Sequence, residues 1–160
     1  MPARTTPKSR SGTRKDDNVF SEAERAAVAA TARERKASSG RSAEEERAEG
    51  LQDLRDALAK MPADDRAMGE RIHELVSKAV PGLVPGTYYG MPSYRTEGKN
   101  GKTIGWYKPK SKFKVRYATF EFQPDAMVDD GTMWPVAFAL TELNAANGAR
   151  ITELVKKAVG

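Results

Sequence analysis

Apolar residues recur along this chain with two different periods, and the change from one to the other organises it. Leu51, Leu54, Leu58 and Met61 fall at i, i+3, i+7 and i+10, a stripe on one helix face that is able to pack. Ser42 and Glu45 ahead of it have the spacing of a capping box, and Pro62 ends it. Gly50 is expected to divide this helix and leave the acidic "EEERAE" as a solvated first half. A second helix starts at Pro62, with Asp64 and Asp65 in its first turn, where the dipole favours anions. Met68, Ile72, Leu75, Val76 and Ala79 make its apolar face until "VPGLVPG" breaks the pattern.

From Thr87 the period becomes two. Ser93 to Gly98 and Lys102 to Lys108 read as hairpin arms around Lys99-Asn100-Gly101. A two-residue Asn-Gly loop would set Arg95 against Trp106 and Glu97 against Ile104, mixing charge with large apolar groups on one face. A three-residue loop with a left-handed Gly101 pairs Tyr94 with Trp106 and Thr96 with Ile104, and patterning favours it. In "KPKSKFKVRYATFEF", Lys108, Lys110, Lys112, Lys114 and Arg116 take even positions while Phe113, Val115 and Tyr117 take odd ones. This predicts a strand with one buried and one charged face. Phe120 and Phe122 reverse the parity, so a bulge near Tyr117 to Thr119 or burial on both faces is expected. "PDAMVDDG" reads as a turn or loop, and "TMWPVAFAL" as a strand that Pro135 confines to an edge or bulge. Thr141 or Asn144 caps a closing helix with Ile151, Leu154, Val155 and Ala158 inward and Lys156 and Lys157 at its negative end.

Two helices, several antiparallel strands and a helix define an α+β chain with helices packed on one face of an antiparallel sheet. Residues 51–160 carry this pattern. Residues 1–50 read as an extension: polar and basic to Lys15, where disorder is expected, then a Ser21/Glu24 capping box and a run of helix formers. That run holds one large apolar residue, Val28, so a solvated, weakly attached helix is expected.

At 160 residues the chain can bury a core without staples, and the absence of cysteine excludes disulfides, thiolate nucleophiles and zinc-cysteine sites. No apolar run approaches a membrane span and no apolar segment follows the basic first residues, so the expected location is cytoplasmic, with no membrane partner. The net charge of +5 is small, but Met1 to Lys15 has five cations and no anion, and Lys99 to Arg116 has seven and none. Lys108, Lys110, Lys112, Lys114 and Arg116 could track phosphates, with neighbouring aromatics stacking on bases; lysines that guard an edge strand give the same pattern.

Candidate chemistry is sparse. The single histidine, His73, sits at the polar edge of its helix, "IHEL" is not a His-Glu-x-x-His motif, and no Ser-His-Asp order, phosphate loop or catalytic carboxylate pair stands out. A structural or solvated His73 and a non-enzymatic chain are expected. Five of the twelve aromatic residues lie between Tyr88 and Tyr107. A pocket for a small ligand would draw on Tyr89, Met91, Tyr94, Trp106 and Trp134; a filled core there would leave those side chains structural.

"YYGMPSY" (Tyr88 to Tyr94), the hairpin after it, "KFKVRYATFEF", Asp130-Gly131-Thr132 and "ITELVKKAV" resemble the YdhG-like bacterial domain of unknown function over about Leu51 to Gly160. Gly90, Met91, Pro92 and Tyr94 are the most specific part. The hairpin here is longer than the family's usual Asn-Gly-Lys turn, and the extension lies outside the domain. The resemblance implies a frataxin-like sandwich and, for one branch, an iron-chaperone role. Ferrous iron would be held weakly by carboxylates, with Asp125, Asp129 and Asp130 as candidates, or Asp64, Asp65 and Glu70. The alternative is a non-enzymatic binding module for an anionic partner, nucleic acid or acidic protein, working as a monomer or homodimer.

Overall fold

The structure, a computed structural model, describes residues 22–37 and 42–160. Five helices and five strands follow in the order α1 (Glu22–Ala37), α2 (Ala43–Ala59), α3 (Ala63–Ala79), β1 (Val84–Tyr88), β2 (Met91–Arg95), β3 (Thr103–Lys108), α4 (Lys110–Phe113), β4 (Ala118–Phe122), β5 (Ala137–Leu140) and α5 (Ala145–Ala158). The strands form one antiparallel meander in sequence order, with β1 and β5 at the edges. This is an α+β fold. Among the described residues no helix is long and apolar enough to cross a membrane.

The core joins one face of the sheet to α2, α3 and α5. Leu54 and Leu58 of α2, Ile72 and Val76 of α3, and Ile151, Leu154, Val155 and Ala158 of α5 meet Tyr94, Tyr107, Phe120, Phe122 and Leu140. These are the helical stripes the sequence pattern indicates. Asn144 caps α5 by accepting from the Asn147 amide. The Ser42/Glu45 capping box closes with both of its bonds, whereas the one expected at Ser21 lies outside the described residues.

Gly50 does not divide α2, which runs unbroken from Ala43 to Ala59. Its missing side chain serves a close approach instead, because a Cβ there would collide with the carbonyl oxygen of Pro85 in β1. The acidic first half is docked as well. Arg47 donates to the carbonyls of Pro81, Gly82 and Leu83 and pairs with Glu97, and Glu46 pairs with Arg95 at 3.2 Å.

Two strand expectations are corrected. Ser93, not Tyr94, stands opposite Trp106, while Tyr94 pairs with Gly105 and Arg95 with Thr103. The register shift leaves Ile104 as an extra residue on β3, so Ile104 reaches the core although it is adjacent to Gly105. Tyr94 and Trp106 therefore lie on opposite faces. The left-handed glycine of this loop is Gly98 (φ 96°) rather than Gly101, and Thr96 and Lys102 close a longer loop than three residues. The lysine comb is also not a strand. After Lys108 the chain makes one helical turn, α4, and leaves it through a left-handed Lys114 (φ 53°) before β4 begins at Ala118. That turn, not a bulge near Tyr117, resets the parity of Phe120 and Phe122.

Candidate functional site

The face of the sheet opposite Tyr94, Tyr107 and Phe120 carries one row of residues across all five strands, Gly86, Ser93, Trp106, Glu121 and Ala137, and at its β1 end it meets α2, where a Cβ on Gly86 would lie 4.0 Å from the Gly50 Cα. Gly86 and Ser93 are small, and beside them the rings of Tyr88, Tyr89 and Trp106 gather. Tyr88 lies 4.4 Å from Tyr89 and 4.9 Å from Trp106, edge to face, and Tyr89 lies 5.8 Å from Trp106. Met91 and Ser93 on this side are only 1% and 5% exposed, whereas the three rings are half-buried. The rings thus keep surface of their own exposed beside buried strand positions. Across β4 and β5 the same side is lightly furnished, with half-buried Thr119 and Glu121 and exposed Ala137 and Ala139.

The turn that delivers Tyr89 is held from both flanks. Tyr88 pairs with Met91, so Tyr89 and Gly90 are a two-residue hairpin loop, and both have positive φ, 51° and 74°. A tyrosine there costs about 1–2 kcal/mol. The Tyr89 amide donates to Thr31 Oγ1 of α1 at 2.8 Å, and Lys112 Nζ donates to the Tyr89 carbonyl at 3.1 Å. A Cβ on Gly90 would lie 3.1 Å from that Nζ. Tyr89 and Gly90 therefore build a strained, clamped ring carrier.

The cations separate once folded. Lys110 pairs with Asp64 at 2.9 Å, and this bond raises the lysine pKa and lowers that of the aspartate. Lys112 is spent on Tyr89. Lys108 Nζ stands 4.5 Å over the Phe113 ring, Arg116 5.2 Å over Tyr117, and Lys114 is exposed. Lys108 follows Trp106 on the same side of β3, and the connection bearing Lys114 and Arg116 leaves from that end of the sheet, where the Tyr89 turn also lies. Glu121 is anchored on the same side of the sheet, accepting from Trp106 Nε1 at 2.9 Å and from Thr119 Oγ1 at 3.0 Å.

The five pocket candidates split. Tyr89, Met91 and Trp106 share this face. Tyr94 is a core residue whose burial raises its pKa, and its hydroxyl meets Nδ1 of His73 at 3.2 Å, while Trp134 packs against the core. Desolvation lowers the His73 pKa, with the Arg55 charge acting the same way and Glu74 opposing. Asp65, in the first turn of α3, is 2% exposed; its carboxylate accepts from the Ser111 amide and its carbonyl from the Tyr107 hydroxyl. Asp125 pairs with Lys102 at 3.8 Å, and Asp129 and Asp130 are exposed. Among the described residues no three histidine or carboxylate side chains converge to hold a metal ion.

A groove of about 620 Å³ lies between α2, the Gly90 turn and α4, lined by residues that include Asp53, Asp56, Asp65, Ser111 and Lys112. Its polar groups are largely engaged: Asp65 with Ser111, Lys112 with Tyr89, and Asp56 with Gln52. Set against family models, curated proteins and solved structures, the chain finds no match in any of the three.

Tyr88, Glu121 and Thr31 are the site residues that sequence reasoning missed. Glu121 alternates with Phe120 and Phe122, which places it on the sheet's outer side, and that was the available signal. Nothing local marks Thr31.

Proposed function

We propose that this chain is a non-enzymatic binding module that takes single-stranded nucleic acid on the sheet face that carries Trp106 and Glu121. The observation that carries the reading is the contact cluster of half-buried Tyr88, Tyr89 and Trp106, with Lys108 on the same side of β3 and exposed Lys114 and Arg116 in the connection that leaves that end of the sheet. Aromatic rings on a sheet stack on unpaired bases, and nearby cations neutralise the phosphates between them. Lys110 and Lys112 fall out of the anion-binding set because each already has a partner in the fold. The ligand implies work in the cytoplasm. Iron handling, implied by the family resemblance, finds no converging ligand set among the described residues and is the weaker reading.

A labelled thymidine oligonucleotide titrated at several salt concentrations tests this. Three phosphate contacts predict a plot of log K against log salt with a slope of about −2. Lys114→Gln with Arg116→Gln should flatten the slope, and absence of saturable binding at about 50 mM salt ends the reading. An acidic protein partner would leave the oligonucleotide unbound.

A further inference from the structure

Glu121 is the one carboxylate that the described strands carry on this side of the sheet, and it sits beside the largest ring. A surface built only for a polyanion gains nothing from a negative charge there, since it repels phosphate. Anchoring the indole does not require a charge either, because a neutral carbonyl would accept the same N–H. The geometry points to a recognition role: we propose that Glu121 reads the pairing edge of a base stacked on Trp106 and selects bases that present donors, guanine first. This rests on the single-strand reading above.

Three features carry it. The carboxylate is fixed at both oxygens, Oε2 by Trp106 and Oε1 by Thr119, so its orientation is set before a ligand arrives. Each oxygen receives one of these donors and keeps capacity for another. Ala137, directly across β4 and β5, is exposed and offers only a methyl group, which leaves the carboxylate approachable from that side. Guanine offers N1–H and the N2 amino group side by side, matching two carboxylate oxygens in a charge-assisted pair. Cytosine and adenine offer one amino group next to an acceptor, and thymine sets a single N–H between two carbonyls that repel the carboxylate.

The test uses the full chain and two pentamers, d(TTGTT) and d(TTTTT), with the Trp106 indole N–H cross-peak as readout, assigned by its loss in Trp106→Phe. Wild type should bind d(TTGTT) about tenfold more tightly. Glu121→Gln keeps an oxygen to accept the indole N–H and turns its NH2 toward Thr119, whose hydroxyl can accept, but loses the charge and the paired acceptors. Its preference should collapse, and d(TTTTT) should bind at least as well as to wild type. Equal binding of the two pentamers to wild type, or an undiminished guanine preference in the variant, overturns the role of Glu121 and leaves the platform standing. Failure of both pentamers and of longer oligonucleotides to bind wild type overturns the platform as well.

Discussion

Trp106 donates its indole N–H to the carboxylate of Glu121 across the β3–β4 pair at 2.9 Å, fixing the largest ring of the Tyr88, Tyr89 and Trp106 cluster in one orientation. Its neighbours there are Tyr88 and Tyr89, while the apolar core lies on the other side. Trp106→Ala should therefore separate binding from folding. Losing one stacking ring is expected to weaken single-strand binding by about tenfold. The lost aromatic pairs should lower stability by only about 1–2 kcal/mol. Anisotropy titration and urea unfolding of the same variant check both halves, and a variant that binds like wild type would remove Trp106 from the site.

The second prediction concerns pH. The buried Tyr94 hydroxyl meets Nδ1 of His73 at 3.2 Å, an arrangement that suits a neutral ring accepting the proton. Burial, helped by Arg55, holds the His73 pKa below its ordinary value of 6.5. The unfolded chain consequently binds the proton first. The stability that this histidine contributes is full above the ordinary value and is lost as pH falls toward the lowered one. Wild type should lose more stability than His73→Gln between about pH 7.5 and 5.5, although carboxylates act on both proteins alike. Parallel curves of urea midpoint against pH would count against this account.

How much of this arrangement the sequence disclosed depends on how local each signal is. The stripes of α2, α3 and α5 are written at helical spacing, and Leu54, Ile72, Val76, Ile151 and Val155 are buried as their positions indicate. Alternation failed twice because period two cannot register an added residue. Ile104 shifts the β2–β3 register, and four residues of α4, little more than one turn, are too short to show a period of 3.6. Gly90 and Pro92 are local marks of a turn, whereas nothing in the sequence announces the positive φ of Tyr89. Glu121 was not singled out, because its partner Trp106 is 15 residues away and only the register brings them together.

Gly50 sets two effects against each other. Alanine would favour the helix by about 1 kcal/mol. Its methyl group would meet the backbone oxygen of Pro85, which no rotamer change can relieve, so α2 would have to withdraw from β1. Overpacking of this kind costs about 1–3 kcal/mol, and a backbone obstacle belongs at the upper end. Gly50→Ala should be destabilising by about 1–2 kcal/mol net, read as a lower urea midpoint with an unchanged slope. A stabilised variant would mean that the helix–strand contact is looser than described.

The last prediction bears on how α1 is held. Ala27 and Thr31 are its buried residues among those described, and Val28 is 48% exposed. Thr31 does two things: its hydroxyl donates to the Ala27 carbonyl at 3.1 Å and accepts the Tyr89 amide at 2.8 Å. A 16-residue helix is marginal by itself in water, so α1 persists through docking. Thr31→Val keeps the shape and removes the hydroxyl, leaving the amide of a strained turn without its acceptor at a cost of about 1–3 kcal/mol. Hydrogen exchange should accelerate at the Tyr89 amide and throughout α1 while α3 and α5 keep their protection. If only the Tyr89 amide exchanges faster, the buried alanine carries the docking; if α1 and the turn are both unchanged, the Thr31 bond does not hold the helix.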